Sequence, residues 1–228
     1  MSKVNAPDPI CCIVLLEAVE QAEAAPLQAA WLADDPLRAI AAGAHYRRSR
    51  PLPSEERGFK PRGVYGAARI RVDGLPAAIE LCRRVAGAPL PRTRVTVIAA
   101  RELAVIDGPE VRGGSDGIKG WFFSSRRPGM SVADFQRHWR DVHGPLVVPS
   151  PGITRYVQYH PCPETYDTRL TPRFDSLAEL SFPDADAKLR FDTSEHSTVH
   201  QRNDLPNLWD MSGGAMRFYI EDVGGSAA

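Results

Sequence analysis

The 228-residue chain has no surplus of charge of either sign, since 28 Lys and Arg balance 28 Asp and Glu and no basic stripe stands out. Without a long-range field, neither nucleic acid nor an anionic membrane is an expected partner. Long apolar runs are missing as well. The run near the amino terminus, Ile10 to Leu16, is too short for a signal-peptide core or a membrane span, which implies a cytoplasmic protein. Cysteine is sparse, and Cys11, Cys12, Cys82 and Cys162 show no CxxC and no Cys/His metal spacing. They sit mostly in apolar stretches and read as reduced core residues. There is no GxGxxG, no Walker loop and no GxSxG elbow, which argues against nucleotide, flavin and serine-hydrolase chemistry of the familiar kinds. Catalysis is therefore expected to be acid/base work with no cofactor. What remains, 43% apolar and 25% charged, is the composition of an ordinary folded protein.

Periodicity divides the chain into two similar halves. Ile10 to Glu17 reads as a strand; Leu27 and Trp31, then Leu37, Ile40 and Ala41, keep a helical period broken at Asp35-Pro36; Ala44 to Leu52 and Val64 to Val72 are strands flanking a polar loop over Pro53 to Gly63. Leu75, Ile79, Cys82 and Ala86 then recur at helical spacing, and Thr93 to Glu102 forms the fourth strand. This is the β-α-β-β-α-β order of ferredoxin-like folds. Asp107 to Gly117 is Gly-rich and reads as a linker. The order then returns: strand at Ile118 to Arg126, a helix opened by a Ser131/Asp134 capping box with Met130 and Phe135 as staple, strands at Ile153 to His160 and Phe174 to Phe182, a polar helical region over Asp184 to Asp204, and a last strand at Met216 to Glu221. The expected organisation is a diverged ferredoxin-like domain over residues 1–106, a linker over 107–117 and a second ferredoxin-like domain over 118–228. Helices cover one face of each sheet, so the faces carrying Trp121, Phe123 or their alternates need a second layer. The two sheets are expected to cover each other, leaving pockets between sheet and helix where a small hydrophobic ligand would bind.

His138 and His143 flank the apolar stripe of Phe135 and Trp139. His143-Gly144-Pro145 suggests a helix that runs out, leaving room for a ligand beside the imidazole; the plainer alternative is a polar residue near a helix end. Alternation puts Thr154, Tyr156, Gln158 and His160 on one strand face, facing either a wet cavity or open solvent. Glu179 stands among Leu177, Ala178, Leu180 and Phe182, so its carboxylate is either turned to solvent or raised in pKa within a cleft. His196, His200 and Asp204 have a spacing able to hold a metal, but the polar letters around them favour a solvated face, and no metal is expected.

The letters of the second half resemble the EthD family, named for a protein linked to ethyl tert-butyl ether degradation. The resemblance rests on Arg126-Arg127-Pro128-Gly129-Met130-Ser131, Phe135, Trp139, His143-Gly144-Pro145-Leu146, Arg155-Tyr156-Val157-Gln158-Tyr159-His160 and Ala178-Glu179-Leu180, and covers about Ile118 to Val223. It implies a dimeric α+β barrel, here formed within one chain by tandem ferredoxin-like repeats, and carries the family's two histidines onto His143 and His160. The wider superfamily includes cofactor-free monooxygenases, polyketide cyclases, dehydratases and decarboxylases, so the resemblance bears on fold more than on reaction.

The leading expectation is a cofactor-independent enzyme of dehydratase, cyclase or isomerase type acting on a small hydrophobic or aromatic carbonyl compound. His143 would be the principal base, with His160, Tyr156 or Glu179 completing the pair and Trp139, Gln158, Trp121 and Phe123 binding the substrate. An EthD-type oxidoreductase or monooxygenase-associated protein is the alternative, and a non-catalytic binding protein the third. A homodimer is the further assembly left open.

Overall fold

In the computed structural model, which describes residues 9–54, 59, 61–212 and 214–226, the two halves do repeat one order of elements. The first contributes β1 (Ile10–Ala18), α1 (Ala24–Ala33), β2 (His45–Pro51), β3 (Val64–Val72), α2 (Leu75–Ala86) and β4 (Thr93–Ile106). The second contributes β5 (Ile118–Ser124), α3 (Val132–His138), α4 (Gly144–Val147), β6 (Arg155–Pro161), β7 (Ser176–Phe182), α5 (Ala185–Thr193), α6 (Arg202–Leu208) and β8 (Met216–Ser226). Residues 55–58 and 60 of the expected Pro53 to Gly63 loop lie outside the described residues. Among the described residues, no helix is long and apolar enough to cross a membrane.

All eight strands close into one antiparallel barrel in the order β1-β3-β2-β8-β5-β7-β6-β4. Closure is reciprocal. The last strand of each half crosses to the second strand of the other, with Arg101 opposite His160 on one side and Glu221 opposite Arg50 on the other. This makes the expected cover of sheet by sheet: Trp121 and Phe123 pack inside the barrel with Cys11, Ile13, Leu15, Ile98 and Ala100 of the first half. Outside it, Val14, Leu16, Trp31, Ile70, Leu81 and Val85 form one helix-covered layer, and Phe135, Trp139, Leu180, Phe182, Phe191 and Leu208 form the other. β1 is buried on both faces, which is why its sequence is a continuous apolar run and not an alternation. Each such aliphatic or aromatic side chain contributes about 1.5–3 kcal/mol on burial.

The segment expected as a linker instead lies across one end of the barrel. The amide of Asp222 donates to the carbonyl of Arg112 at 2.7 Å, and a Cβ on Gly113 would fall 2.0 Å from the carbonyl oxygen of Ile220. At φ +82°, only glycine lets the backbone pass this close. From this strap Glu110 reaches back to Arg69 and Lys119.

The capping signal at the start of α3 is realised: the Ser131 hydroxyl oxygen accepts from the Asp134 amide at 3.0 Å. Ser131→Ala should cost about 1 kcal/mol, seen in a thermal melt as a loss of about 2–4 °C. A melt unchanged to within half a degree would mean that solvent replaces the cap.

Candidate functional site

The helix carrying His143 and Gly144 does not run out at Pro145. α3 passes into a π-helical turn over Trp139–His143 and then into α4, and both His143 and Gly144 keep right-handed helical dihedrals. Proline has no N–H to give back along a helix, and a wider turn takes up the chain where that bond is missing. The Gly144 amide donates to the carbonyl of Trp139, five residues back. Gly144 also lets the helix settle onto β6, since a Cβ there would lie 3.1 Å from Nε2 of Gln158. The space expected beside a bend is therefore occupied by continuous helix.

Beneath this turn, Tyr156, Gln158 and His160 share the outer face of β6, and all three are buried. They are satisfied by one another and by the helix, not by a wet cavity. Gln158 Nε2 donates to the Trp139 carbonyl at 3.0 Å and to the Tyr156 hydroxyl at 2.9 Å, which fixes the amide so that Oε1 faces Nε2 of His160 at 2.9 Å. That oxygen can only accept, so His160 carries its proton on Nε2 and its lone pair on Nδ1. The ring lies 4.6 Å from that of Trp139. Burial, and secondarily the charge of Arg140, push its pKa down to about 4, so the imidazole is neutral at pH 7.

His143 is held from a different direction. Its Nδ1 lies 3.0 Å from Oδ2 of Asp204, while Nε2 of His138 meets Oδ1 of the same carboxylate at 2.9 Å. Burial alone would raise the pKa of Asp204, but the bonds from His143 and His138 outweigh it and hold the group at about 2. An ionised carboxylate accepts, so Nδ1 of His143 is the donor and Nε2 keeps the lone pair of the neutral ring. The imidazole is buried, and the ring of Trp209 stands edge-on to it at 4.9 Å. His143, Asp204 and His138 thus form an oriented acid/base group, with Trp139, Gln158, Tyr156 and His160 on the strand side of the same helix.

Asp204 belongs to the metal-like trio of letters, and the structure separates it from the other two. His196 and His200 lie with rings 5.2 Å apart in a π-helical turn over His196–Gln201, while Asp204 turns inward to α3. Among the described residues no group of His, Cys, Asp or Glu has the arrangement to hold a metal ion. The role of Asp204 is hidden in the sequence because its partners are 61 and 66 residues away in the chain.

Three other candidates sit elsewhere. Glu179 is on the inner face of β7, fully buried, where Trp121 Nε1 donates to it at 2.9 Å and Arg69 and Lys119 lie at 3.6 and 3.8 Å. A strand thus separates it from the imidazoles of His143 and His160, and it cannot complete a pair with either, because its neighbour on β6 is the inward Val157. Trp121 and Phe123 are closely packed inside the barrel, with rings 5.8 Å apart, and present no surface to the helix layer. A cavity of about 370 Å³ does exist between α5 and the β2/β8 seam, lined by Leu52, Ile118, Lys188, Leu189 and Tyr219, but it borders none of the predicted site residues. Its volume falls in the range of small-molecule pockets.

None of the curated proteins is similar enough to the chain to count as a match. Among solved structures, an anthrone oxidase-like protein superposes with a TM-score of 0.63 at 12% identity, covering 96% of this chain and 93% of its own. A candidate monooxygenase from Fusobacterium nucleatum gives 0.52 at 8% identity, covering 96% and 94%. An arginine-to-lysine variant of chlorite dismutase from Candidatus Nitrospira defluvii gives 0.51 at 6%, also covering 96% and 94%. At such identities the likeness is one of fold, that of dimeric α+β barrels. Residues 127–212 match the EthD domain, a stretch that contains the π-helical turn, β6 and Asp204, and the first half of the chain repeats the order of elements found in the second.

Proposed function

We propose that the protein is an oxidoreductase of monooxygenase-related type acting on a small, apolar, carbonyl-bearing aromatic compound, with His143 as the base that removes an acidic C–H proton. The observation that carries this reading is the His143–Asp204 pair: a buried imidazole whose Nδ1–H is held by an ionised carboxylate, so that Nε2 is the proton acceptor. His138 on the other carboxylate oxygen restricts Asp204 to this orientation. Trp209 brings an aromatic ring within 4.9 Å of the His143 imidazole, and His160 and Tyr156 are further polar groups on the strand side. Positioned general bases of this kind typically contribute ~10²–10⁴-fold. Likeness of fold to an anthrone oxidase-like protein supports the oxidative reading over a dehydratase or cyclase, although both begin with the same loss of a proton. A cytoplasmic setting belongs to the same reading.

Anthrone is the test compound, with oxygen uptake and anthraquinone followed together. One anthrone and one dioxygen give one anthraquinone and one water. The expected result is oxygen-dependent turnover above the uncatalysed rate, with kcat/KM about 100-fold lower in His143→Ala and in Asp204→Asn. Turnover that is indifferent to oxygen would return the protein to the dehydratase or cyclase class. Turnover that survives both substitutions would remove the pair from the chemistry.

A further inference from the structure

We propose that the cavity between α5 and the β2/β8 seam is a binding site for a flat, uncharged aromatic molecule of two or three rings. The cavity arises from a difference between the two halves. In the first half, α2 packs across β1, β3 and β4. α5 holds the same place in the second half, yet it packs chiefly on β7, the counterpart of β3. Phe191 makes that contact, edge-on to Phe182 of β7 at 5.2 Å. The outer faces of β5 and β8 are left short of a cover, and about 370 Å³ stays open above Ile118 and Tyr219.

Both walls follow from ordinary periodicity. Ala185, Lys188, Leu189 and Asp192 recur at i, i+3, i+4 and i+7, which puts them on the one stripe of α5 that borders the cavity. Across from it, Phe218 and Ile220 point into the barrel, so Tyr219 between them faces out, and its carbonyl accepts from the Leu52 amide at 2.8 Å. This wall already receives one ring: Phe59 stacks on Tyr219 at 4.6 Å, 17° from parallel. Leu189 is 59% exposed at the rim, so the apolar lining continues to the opening. Charge decides the class of guest. Lys188 is paired with Asp192, and its ammonium lies over Phe59 and Tyr219 at 5.3 and 5.6 Å. Lys119, also at the cavity, turns its ammonium to Asp222 inside the barrel at 3.0 Å. Each cation has its carboxylate, so an anionic guest would lose its water without gaining a counter-charge, whereas an uncharged ring gains from leaving water. His138, His143, His160 and Asp204 do not border the cavity, so this site is separate from the one proposed for the reaction.

Two probes test this: N-phenyl-1-naphthylamine, an uncharged dye that brightens in apolar surroundings, and 8-anilinonaphthalene-1-sulfonate, the same rings with a sulfonate added. Fluorescence titration of the full chain should give one saturable site for the uncharged dye, with Kd on the order of 10 µM, and about 10-fold weaker binding of the sulfonate. Ala185→Trp, at an exposed position on the cavity stripe, sets an indole in the opening and should weaken binding of the dye by about 10-fold. Leu189→Asp puts a charge at the rim, should weaken it by about 5-fold, and serves as the second reporter if Ala185→Trp proves poorly folded. His143→Ala should bind the dye as the wild type does. Any one of four results would overturn the proposal: no saturation by the uncharged dye, equal affinity for the two probes, an affinity unchanged by both rim substitutions, or loss of binding in His143→Ala.

Discussion

Replacing Arg69 by Met is expected to lower the free energy of unfolding by about 3–5 kcal/mol, the loss typical of removing one member of a buried ion network. Arg69 is 2% exposed and holds three partners from three parts of the chain: Glu110 on the strap, Tyr159 on β6 and Glu179 on β7. Methionine leaves Glu179 with only the Trp121 N–H at 2.9 Å and the more distant Lys119, which is also shared with Glu110 and Asp222. A desolvated carboxylate short of a cation is the costly outcome; the lost bonds of the arginine are the lesser part. The double variant Arg69→Met with Glu179→Gln should therefore lose less than the two single variants added together, because the stranded charge is gone. Urea unfolding of the four proteins measures this directly. A loss below 1 kcal/mol for Arg69→Met would show that water reaches the barrel mouth and screens the network.

Stability should also fall by on the order of 3 kcal/mol between pH 6.5 and about pH 4 through His160 alone. The sign follows from its depressed value: free imidazole has a pKa near 6.5, whereas burial holds the folded one at about 4. Between these limits the unfolded chain binds the proton and the folded chain refuses it, so the contribution is complete above pH 6.5 and is lost on acidification. His45, displaced the same way, acts in the same direction. Below pH 4.5 Glu110 joins in: its value is held at about 2 because Arg69 and Lys119 outweigh the effect of burial, and its stabilising effect disappears as pH drops from 4.5 towards 2. Urea midpoints at pH 7, 5.5 and 4.5 for the wild type and His160→Gln separate the parts. The variant should keep the amide-type partner for Gln158 and lose most of the slope above pH 4.5. An identical slope in both proteins would place His160 in contact with solvent.

Much of the architecture is legible in letter patterns, since local periodicity and punctuation set the strands and helices. The β3 limits Val64 and Val72, the α2 period and the Ser131 cap all depend on residues close in sequence. Closure of the barrel does not. β4 runs on to Ile106 because Leu103 and Ala104 find Gln158 and Val157 of β6, a pairing that no property of residues 103–106 announces. The same division applies to the site. His143, His160, Gln158, Tyr156 and Trp139 are recoverable because they lie on one helix and one strand face. Asp204 stands out in the sequence only as a metal-like letter, and His143-Gly144-Pro145 carries no sign that a π-helical turn absorbs the proline. For Glu179 the apolar strand around it suggests solvent or a cleft, whereas the charge that faces it inside the barrel belongs to Arg69 on β3, in the other half of the chain.

The reciprocal exchange of last strands has a consequence during synthesis. A chain emerging from the ribosome completes β2 and β4 long before their partners β8 and β6 exist, so the first half waits with two unsatisfied sheet edges and an apolar inner face. Such an intermediate is sticky, and separate expression of the first hundred residues should yield inclusion bodies or a self-paired dimer in which a second copy supplies the missing strands.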